Sequence, residues 1–75
     1  MKKFEVGEYR TYIGSSEVRY WIEKVTAKTV TVTIHKGSGR YEKTKRCKVV
    51  DCGVMQYCEA FGLYIESDHD NCLRR

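Results

Sequence analysis

The chain has 75 residues, a formal charge of +4, 41% hydrophobic and 32% charged side chains. A chain this short forms one domain with a thin core, and no run approaches the ~18 consecutive apolar residues that a membrane-spanning helix requires. The composition therefore excludes a disordered chain and a membrane-embedded one, and the moderate positive charge permits an anionic partner without requiring one.

We expect no secretion signal in the first residues, because the basic residues at positions 2 and 3 are followed by an alternating segment instead of an apolar one. We therefore expect a cytoplasmic protein that does not associate with a membrane. In a reducing compartment its cysteines are expected to stay thiols. These are Cys47, Cys52, Cys58 and Cys72.

The first half of the chain predicts three β-strands from alternating apolar and polar residues. Residues 4–13 form the first, broken at Gly7, and residues 17–25 form the second. Trp21 falls on the charged face of the second strand, where it is either half-covered by a loop or exposed for binding. Residues 27–35 give the clearest pattern, because valine and isoleucine alternate strictly with threonine. This third strand is predicted to be the centre of the sheet.

The second half predicts a long strand over residues 41–50 after a glycine-rich turn at residues 36–40. Two short closing strands follow at residues 54–59 and 63–66, and no convincing helix is found.

The register of the long strand is ambiguous. Tyr41, Cys47 and Val49 are expected to face the core at its ends. Lys43 and Lys45 share that register and cannot be buried comfortably. The strand is therefore expected to bend away from the sheet midway, or its first half is a solvated hairpin arm.

Together these elements predict an all-β fold, a strongly bent antiparallel sheet of about five strands closed into a small SH3-like barrel. An open curled meander or an OB-like barrel is the alternative. The domain is expected to cover residues 1–67, and residues 68–75 form a polar C-terminal tail that frays or docks as a further strand. Strand order and oligomeric state stay open.

Four segments carry a resemblance: Phe-Glu-Val-Gly at residues 4–7, Thr-Ala-Lys-Thr-Val-Thr-Val at 26–32, Lys-Arg-Cys-Lys at 45–48 and Gly-Val at 53–54. In them the chain resembles small, mostly uncharacterised β-rich proteins encoded by phages and mobile elements of gut Firmicutes. The central hairpin at residues 37–44 is longer here, and the ending is more polar. The resemblance implies an origin more than a mechanism.

The first candidate site is a basic hairpin between residues 36 and 48, where a single glutamate opposes six cations and one tyrosine lies among them. Cations interleaved with an aromatic side chain suit a phosphate backbone and a stacked base. The alternatives are that the lysines keep an exposed edge soluble and unpaired, or that they contact an acidic protein surface. The predicted nucleic-acid-binding residues are Lys36, Arg40, Tyr41, Lys43, Lys45, Arg46 and Lys48.

The second candidate site is aromatic. Most of the aromatic side chains are expected to pack in the core or at its rim. Tyr12 and Trp21 oppose the core in register and are predicted to be accessible, as stacking platforms or, with Arg19, as a protein-binding site.

The cysteines and histidines give weaker signals. The cysteine spacing lacks the close pair of a zinc site, so no metal and no cofactor are expected, and disulfides are the alternative to thiols. Asp68, His69 and Asp70 could hold a metal ion but are expected to be solvated. A nucleophilic pair of cysteine with His35 or His69 would need a cleft that so short a chain can scarcely enclose, so no enzyme activity is expected.

Three functions follow as hypotheses for a small binding module. It binds nucleic acid through the basic hairpin, or it binds and modulates a host or defence protein through the aromatic site. The third is a structural or assembly role, in which edge strands pair between copies.

Overall fold

The computed structural model describes residues 3–71, which form two antiparallel β-sheets and contain no α-helix. The all-β, antiparallel prediction is confirmed. A 3₁₀ turn at Gly39–Tyr41 lies between the third and fourth strands. The strands are β1 (Gly7–Ile13), β2 (Ser16–Val25), β3 (Thr29–Ile34), β4 (Lys43–Lys48), β5 (Val50–Asp51), β6 (Gln56–Ala60), β7 (Leu63–Glu66) and β8 (Asp70–Asn71).

The strand order divides the chain into a larger sheet, β4-β3-β2-β1-β8, and a smaller one, β5-β6-β7. The predicted long strand at residues 41–50 is interrupted at Val49, where the chain passes from the larger sheet to the smaller. There the backbone N–H of Val49 donates to the carbonyl of Lys28 at 2.9 Å. Within residues 3–71 the ladders do not close these sheets into one barrel, so the SH3-like barrel stays a prediction.

The core lies between the two sheets and follows the predicted alternation. Tyr20 and Ile22 of β2 and Val30 and Val32 of β3 are fully buried. Ile22 pairs with Val32 across the ladder, and Tyr20 pairs with the half-buried Ile34. Phe4, just before β1, packs into the same core. The smaller sheet contributes Cys58, Ala60 and Ile65.

The pairing of β4 resolves the ambiguity of its register. All six residues of β4 pair with β3, so the strand does not leave the sheet. The core covers only the end of β4: Lys43 and Lys45 are exposed, while Cys47 is buried and Val49 packs against the core. The expectation that Tyr41 faces the core is wrong. The 3₁₀ turn takes this residue out of the strand and leaves it 59% exposed.

The C-terminal segment docks as a further strand as far as the structure describes it. Asp70 and Asn71 pair with Arg10 and Tyr9 of β1. The ring of His69 fixes this segment, because its Nδ1 lies 2.8 Å from the buried Tyr20 hydroxyl and its Nε2 lies 3.3 Å from the Thr11 hydroxyl. The rest of the predicted tail, residues 72–75, lies outside the described residues.

Candidate nucleic-acid interface

Strand β4 carries four exposed cations on the open edge of the larger sheet: Lys43, Lys45, Arg46 and Lys48. Successive side chains of a strand point to opposite faces, so these cations project from both faces of the edge. Among residues 3–71 no ion pair involves a β4 side chain. Thr44 anchors the strand, since its hydroxyl lies 2.9 Å from that of Thr33. The edge is therefore fixed in position and carries positive charge that no carboxylate within the described chain neutralises.

The turn before β4 supplies the remaining predicted nucleic-acid-binding residues, which differ in their contacts. Lys36 is ion-paired, with Nζ 2.9 Å from a carboxylate oxygen of Glu23, and this hydrogen bond lowers the pKa of Glu23. Arg40 instead lies over the ring of Tyr41, with Cζ 5.1 Å from the ring centroid, and donates to its hydroxyl at 3.1 Å. Arg40 and Tyr41 thus form an exposed pair of a cation and an aromatic ring.

Glu42, the acidic residue of the predicted hairpin, forms a hydrogen bond with the backbone and no ion pair with its basic neighbours in the described chain. Its Oε1 accepts a hydrogen bond from the N–H of Gly37 at 2.8 Å and so closes the turn. Gly37 has φ +84°, a left-handed conformation that favours glycine. The turn that presents Arg40 and Tyr41 is therefore held by local hydrogen bonds.

The predicted protein-binding residues lie on one face of the β1–β2 hairpin, with the two aromatic side chains at some distance from each other. Tyr12 is 60% exposed, and Trp21 is half-buried on the same face of the β1–β2 hairpin. Tyr12 pairs with Glu17, four residues from Trp21 along β2, which is roughly 13 Å at the rise of an extended strand. Arg19 lies between them in the sequence and is engaged by carboxylates.

Ion pairs neutralise the surface between Tyr12 and Trp21. Arg19 donates from Nε to Glu17 at 2.7 Å, and its Nη1 lies 3.7 Å from Glu8. Arg10 also lies 3.8 Å from Glu17. The hydrogen bond from Arg19 is the main reason that the pKa of Glu17 is held below its ordinary value. Acidic and basic groups balance on this face, in contrast to β4.

A groove of about 630 Å³ opens beside this hairpin, between the first half of β2 and the β6–β7 turn. The β2–β3 ladder ends where Tyr20 pairs with Ile34, so the β2 residues before Tyr20 have no partner in β3. The chain turns away from the sheet at His35. The residues that line the groove are Glu17, Val18, Arg19, Trp21, Ile34, His35, Lys36, Ser38, Phe61 and Leu63.

Two residues of this groove adopt a conformation that is uncommon outside glycine. His35 has φ +54° and Phe61 has φ +56°, and within residues 3–71 no other residue except glycine has a positive φ. Phe61 and Gly62, both with positive φ, form the two-residue loop that joins β6 to β7. A bulky side chain in this region carries local strain, which proteins often retain at functional positions.

Three residues of this groove, Arg19, Trp21 and Lys36, are predicted binding residues, whereas Phe61 and the apolar lining residues are not. The sequence pattern predicts Phe61 to be a loop residue and Leu63 to be a strand residue. It places Val18 and Ile34 on the core faces of their strands. The one local signal was the pair Phe61-Gly62 between two apolar segments, which is consistent with a tight hairpin loop. It does not indicate which strand the loop faces.

The thiols and the possible metal ligands do not form a reactive site. Cys47 and Cys58 are buried and Cys52 is exposed, all as free thiols, while Cys72 lies outside the described residues. Burial raises the pKa of Cys58 to about 12 and also raises that of Cys47. A raised pKa keeps a thiol protonated and unreactive at neutral pH.

Glu66, Asp68 and His69 each place a ligand atom within 4.8 Å of the others. However, both ring nitrogens of His69 are engaged by the hydroxyls of Tyr20 and Thr11. We therefore assign this cluster to the attachment of the C-terminal strand.

Comparison with known proteins does not place the chain in a family. No protein-family model matches the chain, and no curated protein and no solved structure is significantly similar to it. Within residues 3–71 no helix is both long and apolar enough to cross a membrane.

Proposed function

We propose that the protein is a small, non-enzymatic module that binds nucleic acid through strand β4 and the turn before it. One observation carries the proposal: β4 presents four exposed cations, and no ion pair neutralises them within the described chain. Such a row of cations suits a phosphate backbone, because each contact between a cation and a phosphate releases a condensed counterion and so favours binding.

The exposed pair of Arg40 and Tyr41 supports the same function. A tyrosine ring that is 59% exposed beside a row of cations offers a surface on which a base can stack. Cations on both faces of an edge strand favour contact with a flexible or curved backbone that follows the edge. Sequence-specific readout has no support here, so binding is expected to tolerate any sequence.

The other predicted functions have less support. Binding to a host or defence protein depends on Tyr12, Arg19 and Trp21, yet Arg19 is occupied by Glu8 and Glu17. An assembly role requires edge strands to pair between copies, and the charges of β4 oppose such pairing at that edge. An SH3-like arrangement, in which one continuous segment contributes β4 and β5 to two sheets, and an origin on a mobile element are consistent with the proposal and stay predictions.

The experiment compares two charge reversals of equal size. Lys45→Glu/Arg46→Glu reverses two cations of β4, and Lys3→Glu/Lys24→Glu reverses two exposed lysines elsewhere. Binding of a fluorescein-labelled oligonucleotide is followed by anisotropy at about 50 mM salt, where phosphate contacts are strong.

The proposal predicts that the β4 variant loses most of its affinity while the control variant stays within a few-fold of the parent chain. Equal losses in the two variants would show that net charge alone attracts the oligonucleotide. They would contradict a defined interface on β4.

A further inference from the structure

The groove beside β2 has the composition of a site for a nucleobase. Two of its lining residues, Trp21 and Phe61, are aromatic, and Val18, Ile34 and Leu63 add apolar surface. Its volume of about 630 Å³ lies within the range of about 300–1,000 Å³ that is typical of ligand clefts. Aromatic and apolar walls suit the faces of a base and not its phosphates.

Lys36 is the lining cation that a phosphate next to the base would contact. Lys36 reaches the groove wall while bound to Glu23. An ammonium group has three donors, so Lys36 can contact Glu23 and a phosphate together. Arg19 also lines the groove, but Glu8 and Glu17 hold its guanidinium. Lys36 is therefore the lining cation that we assign to the phosphate.

The groove is also continuous with the interface proposed on β4. The turn at residues 36–41 lines the groove with Lys36 and Ser38 and carries Arg40 and Tyr41 at its other end. Trp21 pairs with Thr33, which in turn pairs with Thr44 of β4. Two strand spacings therefore separate Trp21 from β4, which is about 10 Å.

We infer that this groove receives one base of a single-stranded nucleic acid whose backbone runs along β4. The inference rests on the proposed function and adds the substrate class, because a base can enter the groove only when it is unpaired. A duplex would contact β4 through its phosphates and leave the groove empty. The single strand is therefore expected to bind more tightly than a duplex of the same length.

The intrinsic fluorescence of Trp21 reports on the groove directly, because it is the only tryptophan of the chain. The chain is titrated with oligothymidylate of about 12 nucleotides, which is within the site sizes of single-strand-binding folds, and with a duplex of equal length. Anisotropy is recorded in parallel. We expect the single strand to quench Trp21 over the same concentrations that raise the anisotropy, and the duplex to leave the emission unchanged.

The groove variant is Phe61→Asn, because asparagine tolerates the positive φ of this position while removing the ring. Losing one stacking contact is expected to weaken single-strand binding roughly ten-fold and to leave duplex binding unchanged. Val54→Asn is the control, since Val54 is 79% exposed and lies outside the groove. Circular dichroism confirms that each variant is folded.

The outcomes separate the two proposals. Anisotropy without quenching, or a Phe61→Asn variant that binds normally, would overturn the base site and leave the β4 interface intact. Absence of any binding would overturn both and leave the groove for a protein segment. Quenching that persists in Lys45→Glu/Arg46→Glu at higher oligonucleotide concentration would support the groove as a site distinct from β4.

Discussion

Tyr20 is the buried side chain that ties the C-terminal strand to the core. Its ring stacks on Tyr9 with centroids 5.5 Å apart, and its hydroxyl lies 2.8 Å from Nδ1 of His69 and 3.3 Å from the carbonyl of Glu66. Burial raises the pKa of this hydroxyl well above its usual range, so it remains a proton donor at neutral pH.

Replacing Tyr20 with phenylalanine tests this tie. The change leaves the ring in place but removes the hydrogen bond to Nδ1 of His69, which is expected to cost about 1 kcal/mol of unfolding free energy. Tyr12→Phe is the matched control, because the Tyr12 hydroxyl is exposed and lies 3.5 Å from Glu17. Urea unfolding followed by circular dichroism measures both. Equal stability of the two variants would contradict a structural role for the Tyr20 hydroxyl.

The buried thiols predict how stability depends on alkaline pH. Burial raises the pKa of Cys58 to about 12, and Cys47 shifts in the same direction. Between about pH 9 and pH 12 the unfolded chain has therefore lost thiol protons that the folded chain keeps. Because the folded state then binds more protons, the unfolding free energy falls as pH rises through this range.

Urea unfolding between about pH 8 and about pH 10.5 tests how the unfolding free energy depends on pH. The fall is expected to be shallower in Cys58→Ala than in the parent chain, whereas Cys52→Ala, at an exposed thiol, should follow the parent. Parallel curves for the three proteins would show that Cys58 does not carry the effect.

At the scale of the elements, Gln56 joins three segments that are distant in sequence. Its Oε1 accepts the backbone N–H of Phe4 at 2.9 Å, and its Nε2 donates to Asp51 of β5 at 2.9 Å. Its backbone N–H donates to the hydroxyl of Ser67, and its carbonyl accepts the N–H of Ser67, both at 2.9 Å. The start of the chain, β5 and the end of β7 are therefore fixed around one buried amide.

Replacing Gln56 with alanine is expected to lower the unfolding free energy by about 2–3 kcal/mol, since the buried N–H of Phe4 loses its acceptor. Glu59→Ala, at an exposed position of the same strand, should change it by less than about 0.5 kcal/mol. Thermal and urea unfolding give both values. A small loss at Gln56 would mean that water or another acceptor replaces the amide.

Alternation predicted most of these elements. A period of two predicted the burial of Tyr20 and Ile22 in β2 and of Val30 and Val32 in β3, because each strand lies against a core on one face. It did not predict that Thr33, on the other face of β3, is also buried. It did not predict two sheets, since the passage at Val49 depends on a hydrogen bond to Lys28 that lies 21 residues earlier in the chain. It also misplaced Tyr41, because local turn geometry ended the alternation before β4 began.

The candidate site was predictable to a smaller extent. The cations of β4 lie within six residues of sequence, so the local charge pattern located them. The groove combines β2, the end of β3 and the β6–β7 turn, and no local pattern shows that these segments meet. Which segments meet depends on the strand order. A period of two shows which face of a strand is buried but not which strands are neighbours.

At the scale of the whole molecule, charge is divided between two surfaces. On the β1–β2 hairpin the arginines are matched by Glu8 and Glu17, while β4 at the far side of β3 carries cations without carboxylate partners in the described chain. The net charge of +4 thus understates how positive the β4 edge is. A polyanion is expected to meet that edge first.

The salt dependence of oligothymidylate binding measures this interface most directly. Four unpaired cations on β4 predict that the logarithm of the association constant falls with the logarithm of salt concentration with a slope of about −3 for a single strand. Anisotropy between about 50 and 200 mM salt gives that slope, and Lys45→Glu/Arg46→Glu should flatten it. A slope near zero in the parent chain, or no binding at the lowest salt, would contradict the assignment of β4 as a nucleic-acid interface.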